Sequence, residues 1–317
     1  MRSLIAIRQD IRRTWGETLS ASGMSIIPKL PTKPVLLGTS FKVEKGRAKG
    51  VVSRVVYLSP DREAFAGADY NRDIRSTEKR TLCPNASPEC SGVCLGDSTG
   101  LLITSTCHNA RLWKSALFLG NRRLFRELLV AESASFQRAT LRSGKTPAVR
   151  VDGSSDTGEG LHLARALPKL QVYDYTKNER LALAYAAGVP ASPEANACKR
   201  VLAKARKRGP LTKMPNNYHI TFSYSGRNAD ACKRVLAAGG NVAAVFDVDK
   251  RKGEALPRSL WGADILGEDQ DDARFLDPPG GYVVGLVFKA RPGNRAQALA
   301  RAGSFVVREG EFLRVAA

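Results

Sequence analysis

The chain has 317 residues, of which 43% are apolar and 25% charged. That is enough for one barrel-sized domain or two ordinary ones, and too apolar for wholesale disorder. Lys and Arg number 50 against 30 Asp and Glu, a formal net charge of +20. A compact body so charged repels itself and is relieved by phosphate, so nucleic acid, DNA or RNA, is the expected partner; acidic proteins and anionic lipid are the remaining polyanions. No run of about 18 apolar residues occurs, which excludes a membrane-spanning helix, and the N-terminus lacks the long apolar core of a secretory signal. The expected location is the cytoplasm, where six cysteines are ligands or plain thiols rather than disulfides.

Residues 1–35 read as an N-terminal arm or short amphipathic helix, and 36–317 as a single α/β domain. The Val-rich stretch 50–60 is a predicted strand. A loop over 61–108 follows, rich in Cys and Gly, and a loop of that length inside a domain is usually functional or disordered. From 109 to 142 the pattern turns helical: Leu112, Ala116, Leu119, Leu124, Leu128 and Leu129 approximate an apolar stripe that breaks near Gly120. Strands and helices then alternate. Predicted strands lie at 146–153, 169–177, 217–225, 241–248 and 282–290, and Gly239 stops the helix NADACKRVLAAGG. This alternation predicts a mostly parallel sheet with covered faces, arranged as a partial or complete (β/α) barrel in preference to a three-layer sandwich. The segment ACKRVLA occurs at 197–203 and again at 231–237, each as a basic amphipathic helix. No third copy supports a solenoid.

Cys83, Cys90 and Cys94 stand in CPNASPECSGVC, a C-x6-C-x3-C arrangement, with Cys107 and His108 further on. Three thiolates on a short loop suit an iron–sulfur cluster with an open site. With Cys107 or His108 as a fourth ligand they suit structural zinc, and without metal they are plain thiols. Cys198 and Cys232, on the repeated helices, read as small core residues.

Ligands of parallel α/β sheets sit at the carboxyl ends of strands. Asp152 and Asp156 follow one predicted strand. Asp174 lies between two tyrosines in another, with Lys177 close enough in sequence to pair with it. These four are the candidate catalytic residues, since an acid in an apolar strand is costly unless paired or used. Capping of the next helix is the competing role for Asp152 and Asp156. Arg122, Arg123, Lys199, Arg200, Lys233 and Arg234 are the candidate nucleic-acid-binding residues, within basic clusters at 122–123, 199–208 and 233–234. A solvated charged face is the competing reading. His219 reads as a satisfied core histidine and His162 as helix surface.

The segments GVVSRVVYLSP, LCPNASPECSGVCLG, NARLWKSALFL, TPAVRVDGSSD, VYDYTKN, PNNYHITFSYSGRN, GGNVAAVF and DARFLDPPGGYVVGL fall in order over residues 36–307. As a series this resembles an uncharacterised bacteriophage protein family with a three-cysteine loop. The resemblance implies a phage gene expressed inside a bacterial host. More distantly, a three-Cys loop after the first strand of an alternating βα chain is similar to radical S-adenosylmethionine enzymes. That likeness implies an iron–sulfur cluster on Cys83, Cys90 and Cys94 with S-adenosylmethionine as cofactor. The spacing departs from the C-x3-C-x2-C of those enzymes, and VDGSSD at 151–156 is the nearest substitute for their Gly-Gly-Glu segment. The expected function is a phage-encoded, nucleic-acid-associated protein, as a metal- or cluster-dependent enzyme on nucleic acid or nucleotides. The alternatives are a non-catalytic DNA-binding replication protein with a zinc loop, or a host-takeover protein that binds a host protein through its basic surface.

Overall fold

The computed structural model describes residues 2–24, 26–59, 82–94, 104–188, 195–267, 271–290 and 293–308. In chain order its helices are α1 (Leu4–Arg13), α2 (Trp15–Ser22), α3 (Phe41–Glu44), α4 (Pro88–Gly92), α5 (Ser105–Gly120), α6 (Arg122–Arg142), α7 (Glu159–Ala166), α8 (Glu179–Ala186), α9 (Ala195–Lys207), α10 (Ala229–Ala237) and α11 (Arg295–Ala302). The strands are β1 (Val51–Val55), β2 (Thr146–Arg150), β3 (Gln171–Thr176), β4 (Tyr218–Ser223), β5 (Val242–Phe246), β6 (Ser259–Leu260), β7 (Ala263–Leu266), β8 (Val283–Val287) and β9 (Val306–Val307). The chain divides into two units, Met1–Pro84 with Leu95–Val172 and Asn85–Cys94 with Tyr173–Ala317.

In the first unit β1 pairs in parallel with β2, from Val51 opposite Thr146 to Val55 opposite Arg150, and β2 pairs in parallel with the start of β3. The N-terminal segment expected as an arm or short helix forms two helices. Ser3 caps α1, its Oγ accepting from the Ala6 amide at 3.2 Å, and Ile7 and Ile11 turn inward. α1 packs on α6, and α2 on α5. The break in the apolar stripe at Gly120 now has a cause: a Cβ there would stand 2.0 Å from the Thr18 carbonyl oxygen. Only glycine lets α2 and α5 approach so closely. Asn121 then caps α6, its Oδ1 accepting from the Leu124 amide at 3.1 Å.

The extended lead-in to α3 is tied to these helices by buried charges. Glu132 accepts from the Leu36 and Leu37 amides at 2.9 and 3.1 Å and from Arg8 at 2.9 Å. Lys114 donates to the Leu36 carbonyl at 2.8 Å, and burial pulls its pKa down to about 8.

In the second unit the strand order runs β3-β4-β5-β8-β7-β6, with β9 also pairing with β5. β5 runs parallel to β4, β8 and β9, and β7 runs parallel to β8. The antiparallel β6–β7 hairpin and the short β9 are features that the sequence pattern did not anticipate. The expected α/β class with a mostly parallel sheet is therefore observed. The order is open, and no pairing closes a barrel among the described strands. The second half of the cysteine segment belongs to this unit. Ser87 bonds to the Ser225 carbonyl, Glu89 pairs with Arg227 at 2.8 Å, and Val93 enters an apolar cluster with Phe288, Ala298, Ala302 and Val306.

Candidate nucleic-acid interface

The acids expected at strand ends are buried and engaged. Asp152, 2% exposed, accepts from Ser155 Oγ at 2.6 Å, from Thr157 N and Oγ1 at 3.0 and 2.8 Å, and from Gly158 N at 3.0 Å. It thereby closes the loop that leads into α7. Burial pushes its pKa up, although the Ser155 and Thr157 bonds pull the other way. Asp156 is buried in the same loop, its amide donating to the Leu82 carbonyl at 2.7 Å. Asp174, in the second unit, accepts from Tyr218 OH at 3.1 Å. Lys177 follows the end of β3, half-buried.

Because Asp152 satisfies four donors, Asp152→Ala is expected to destabilise the chain by about 3 kcal/mol in denaturant unfolding, with the Asn variant milder. Unchanged stability would show that the carboxylate does not hold this loop.

Cys83 is half-buried with its Sγ 4.0 Å from the Ser154 carbonyl. Cys90 lies within α4, and its amide donates to Ser87 Oγ at 3.1 Å; Cys94 follows that helix. Cys83 falls in the first unit and the other two in the second. Among the described residues no group of three His, Cys, Asp or Glu side chains is placed to hold a metal ion.

Arginine after arginine is matched by a carboxylate. Arg122 and Arg126 both grip the buried Glu159, at 2.8 and 2.7 Å; burial works to raise the Glu159 pKa, but the two guanidiniums carry it below the usual carboxylate range. Arg123 pairs with Glu127 at 2.7 Å, Arg234 with Glu179 at 3.0 Å, and Arg295 with Asp247 at 2.6 Å. Three of the six residues expected to hold nucleic acid are thus already neutralised by neighbours.

α9 is different. The helix carries no acid, and Lys199, Arg200, Lys204, Arg206, Lys207 and Arg208 beyond its end are all exposed. Leu202 points inward, which leaves the cations on the outer face. Lys233 is exposed on α10, which packs against α9. None of these cations forms an ion pair among the described residues. The C-terminal end of α9 is held by Arg180 of α8, which donates to the Pro210 carbonyl at 2.9 Å and reaches the Arg208 and Gly209 carbonyls at 3.4 Å. Cations are favoured at a helix C-terminus, where the unsatisfied carbonyls gather.

The same unit holds a pocket of about 330 Å³ at the amino ends of β4 and β5. Tyr185 and Gly188 from the end of α8, and Met214 to Asn216 before β4, form part of its wall. Tyr218, His219, Phe275 and Asp277 complete much of the rest. Tyr185 OH and His219 Nδ1 are 2.7 Å apart, with the rings edge to face at 5.1 Å. Burial, with Arg274 nearby, drops the His219 pKa to about 3, and burial raises that of Tyr185 to about 12, so both stay neutral at ordinary pH. Asn241 is committed to structure: it donates to the Pro278 carbonyl at 3.1 Å and accepts from the Tyr282 amide at 3.0 Å. Asp277 is paired with Arg274 at 3.2 Å.

The expectation of a satisfied core histidine at 219 matches its bond to Tyr185, but its place in a pocket wall was not foreseen. Attention to carboxyl ends of strands pointed away from it. The available signal was a His and a Tyr at the head of an apolar strand, with Gly188 and Gly239 ending the helices around it.

No helix among the described residues is long and apolar enough to cross a membrane. Over residues 63–303 the chain matches the model of the family described as Gene product 88. No curated protein and no solved structure matches it.

Proposed function

This chain belongs to the Gene product 88 family, a phage-type family, and from that premise we propose that it is a phage-encoded nucleic-acid-binding protein that grips phosphates with the exposed face of α9. The observation that carries this reading is the acid-free outer face of that helix. There Lys199, Arg200, Lys204, Arg206, Lys207 and Arg208 lack carboxylate partners among the described residues, while Arg122, Arg123 and Arg234, the other arginines the sequence singles out, have them. A paired arginine has little left to offer a phosphate. An unpaired row along a helix releases counterions when a polyanion lies on it. The row also spans roughly 15 Å, at about 1.5 Å per residue, so it meets several phosphates of one strand.

The test is binding of a labelled oligonucleotide to the full chain across a series of salt concentrations. A log–log slope of about −3 or steeper is expected if four or more phosphates are engaged. Binding that ignores salt, or no binding to either DNA or RNA, would sink the reading and leave a host protein as the partner of the basic face. Metal analysis of anaerobically purified protein decides whether the cysteine segment brings zinc or a cluster to that strand.

A further inference from the structure

We propose that the amino edge of the first unit's sheet, with the helix ends beside it, docks on a membrane surface rich in anionic headgroups. The contact is peripheral, since no helix among the described residues is long and apolar enough to cross a bilayer. Cations meet the headgroups and apolar side chains enter between them. β1, β2 and β3 pair in parallel, so their amino ends share one edge. Lys49, Lys145 and Lys169 stand exposed just ahead of those three strands. Neighbouring strands are about 4.8 Å apart, which sets the three positions side by side. Two helix ends flank this row. The turn Lys45–Lys49 after α3 is tied to the end of α6, because the Gly50 carbonyl accepts from the Thr146 amide at 3.0 Å. Arg54 makes a second tie, pairing with Glu44 of α3 at 3.4 Å and lying 5.4 Å from the ring centre of Phe136 on α6. Phe41, at the start of α3, is 82% exposed, and Leu141, at the end of α6, is 49% exposed.

Charge complementarity calls for a polyanion here. Glu44 is the only acid in residues 35–60, and residues 133–151 contain none. Glu44 is itself paired with Arg47 and Arg54. Lys45, Arg142, Lys145 and Lys169 form no ion pair among the described residues. The apolar side chains then favour lipid over nucleic acid. The exposed face of α9 presents cations with no large apolar side chain among its described residues, whereas this surface mixes the two. Leu141 offers a base no ring to stack on, and the Lys45 ammonium already lies over the Phe41 ring, 5.2 Å from its centre. Acyl chains, by contrast, take both side chains out of water. An aromatic ring with an ammonium over it also suits the boundary between headgroup and acyl chain, where the ring sinks and the cation stays at the phosphates.

Co-sedimentation of the full-length protein with vesicles tests this. Vesicles of phosphatidylglycerol mixed with phosphatidylcholine are compared with vesicles of phosphatidylcholine alone. Wild type is expected to bind the anionic vesicles about tenfold or more tightly. Replacing Arg142, Lys145 and Lys169 together by Gln is expected to weaken that binding about 10²-fold, at about fivefold for each cation. Phe41→Ser combined with Leu141→Ser is expected to weaken it about tenfold or more, and Phe41→Trp to preserve it. All five substitutions fall at exposed positions, and a thermal melt of each variant verifies its fold. The same variants are titrated with a labelled oligonucleotide, whose binding the Ser pair is expected to leave unchanged. Equal binding to the two kinds of vesicle, or to neither, would overturn the proposal. So would anionic-vesicle binding that survives both Ser substitutions intact, since bare charge from any face would then explain it. Loss of oligonucleotide binding in the Ser pair, without vesicle binding by wild type, would assign this surface to nucleic acid instead. None of these outcomes decides the reading of α9, which stands or falls on oligonucleotide binding by its own variants.

Discussion

Replacing Lys199, Arg200, Lys204 and Arg206 together by Gln is expected to weaken oligonucleotide binding about 10²- to 10³-fold at physiological salt, and to flatten the log–log salt slope by about 3. The size follows from counterion release, since each phosphate left without a cation takes about 0.7 to 0.9 from the slope. The fold is expected to survive, because these side chains are exposed and make no ion pair among the described residues. The paired arginines serve as the control. Arg122, Arg123 and Arg234 were equally plausible from sequence, yet each is bound to a carboxylate. Their Gln variants should lose far less affinity per residue, and the Arg122 variant leaves Glu159 to Arg126 alone. If the two sets weakened binding equally, unpaired charge would not be what selects the interface. The measurement is fluorescence anisotropy with a labelled single strand, with a thermal melt of each variant as the control for folding.

Acid is expected to unfold the chain through His219. Its folded pKa lies near 3 because burial, then Arg274, opposes the imidazolium. Unfolded, the ring returns to its ordinary value near 6.5. Between those two values the unfolded chain binds a proton that the folded chain refuses. Stability from this group is therefore fully present above pH 6.5 and drains away as pH falls toward 3, by about 5 kcal/mol in all. His219→Gln keeps a polar group opposite Tyr185 and removes the titration. Denaturant unfolding at a series of pH values should show the wild-type curve falling more steeply through this window than the variant's. Asp152 acts with the opposite sign: its pKa is raised by burial, so its contribution is present at low pH and lost as pH rises through the folded value. Parallel wild-type and His219→Gln curves would show that the ring is hydrated and titrates normally.

Much of the architecture was legible in the sequence. The strands expected at 146–153, 169–177, 217–225, 241–248 and 282–290 each contain an observed strand, and the two ACKRVLA segments lie on α9 and α10. These are local signals, since Val-rich runs and helical periodicity act through neighbours in sequence. Gly120 was visible as an interruption and became intelligible only when α2 was found pressed against it. The hairpin of β6 and β7 left no clear mark, because strands of two and four residues carry too little alternation to read.

The surplus of positive charge, the amphipathic character of residues 195–207 and the α/β class were determined by the sequence itself, because composition and periodicity need no partner to be read. Which cations remain available was decided by tertiary structure alone. Arg122 meets Glu159 across 37 residues and Arg234 meets Glu179 across 55, and no spacing rule announces either pair. The same holds for the bond between Tyr185 and His219, 34 residues apart. A charge or a ring acquires its role from what folding sets against it, and that is a property of distance in space rather than along the chain.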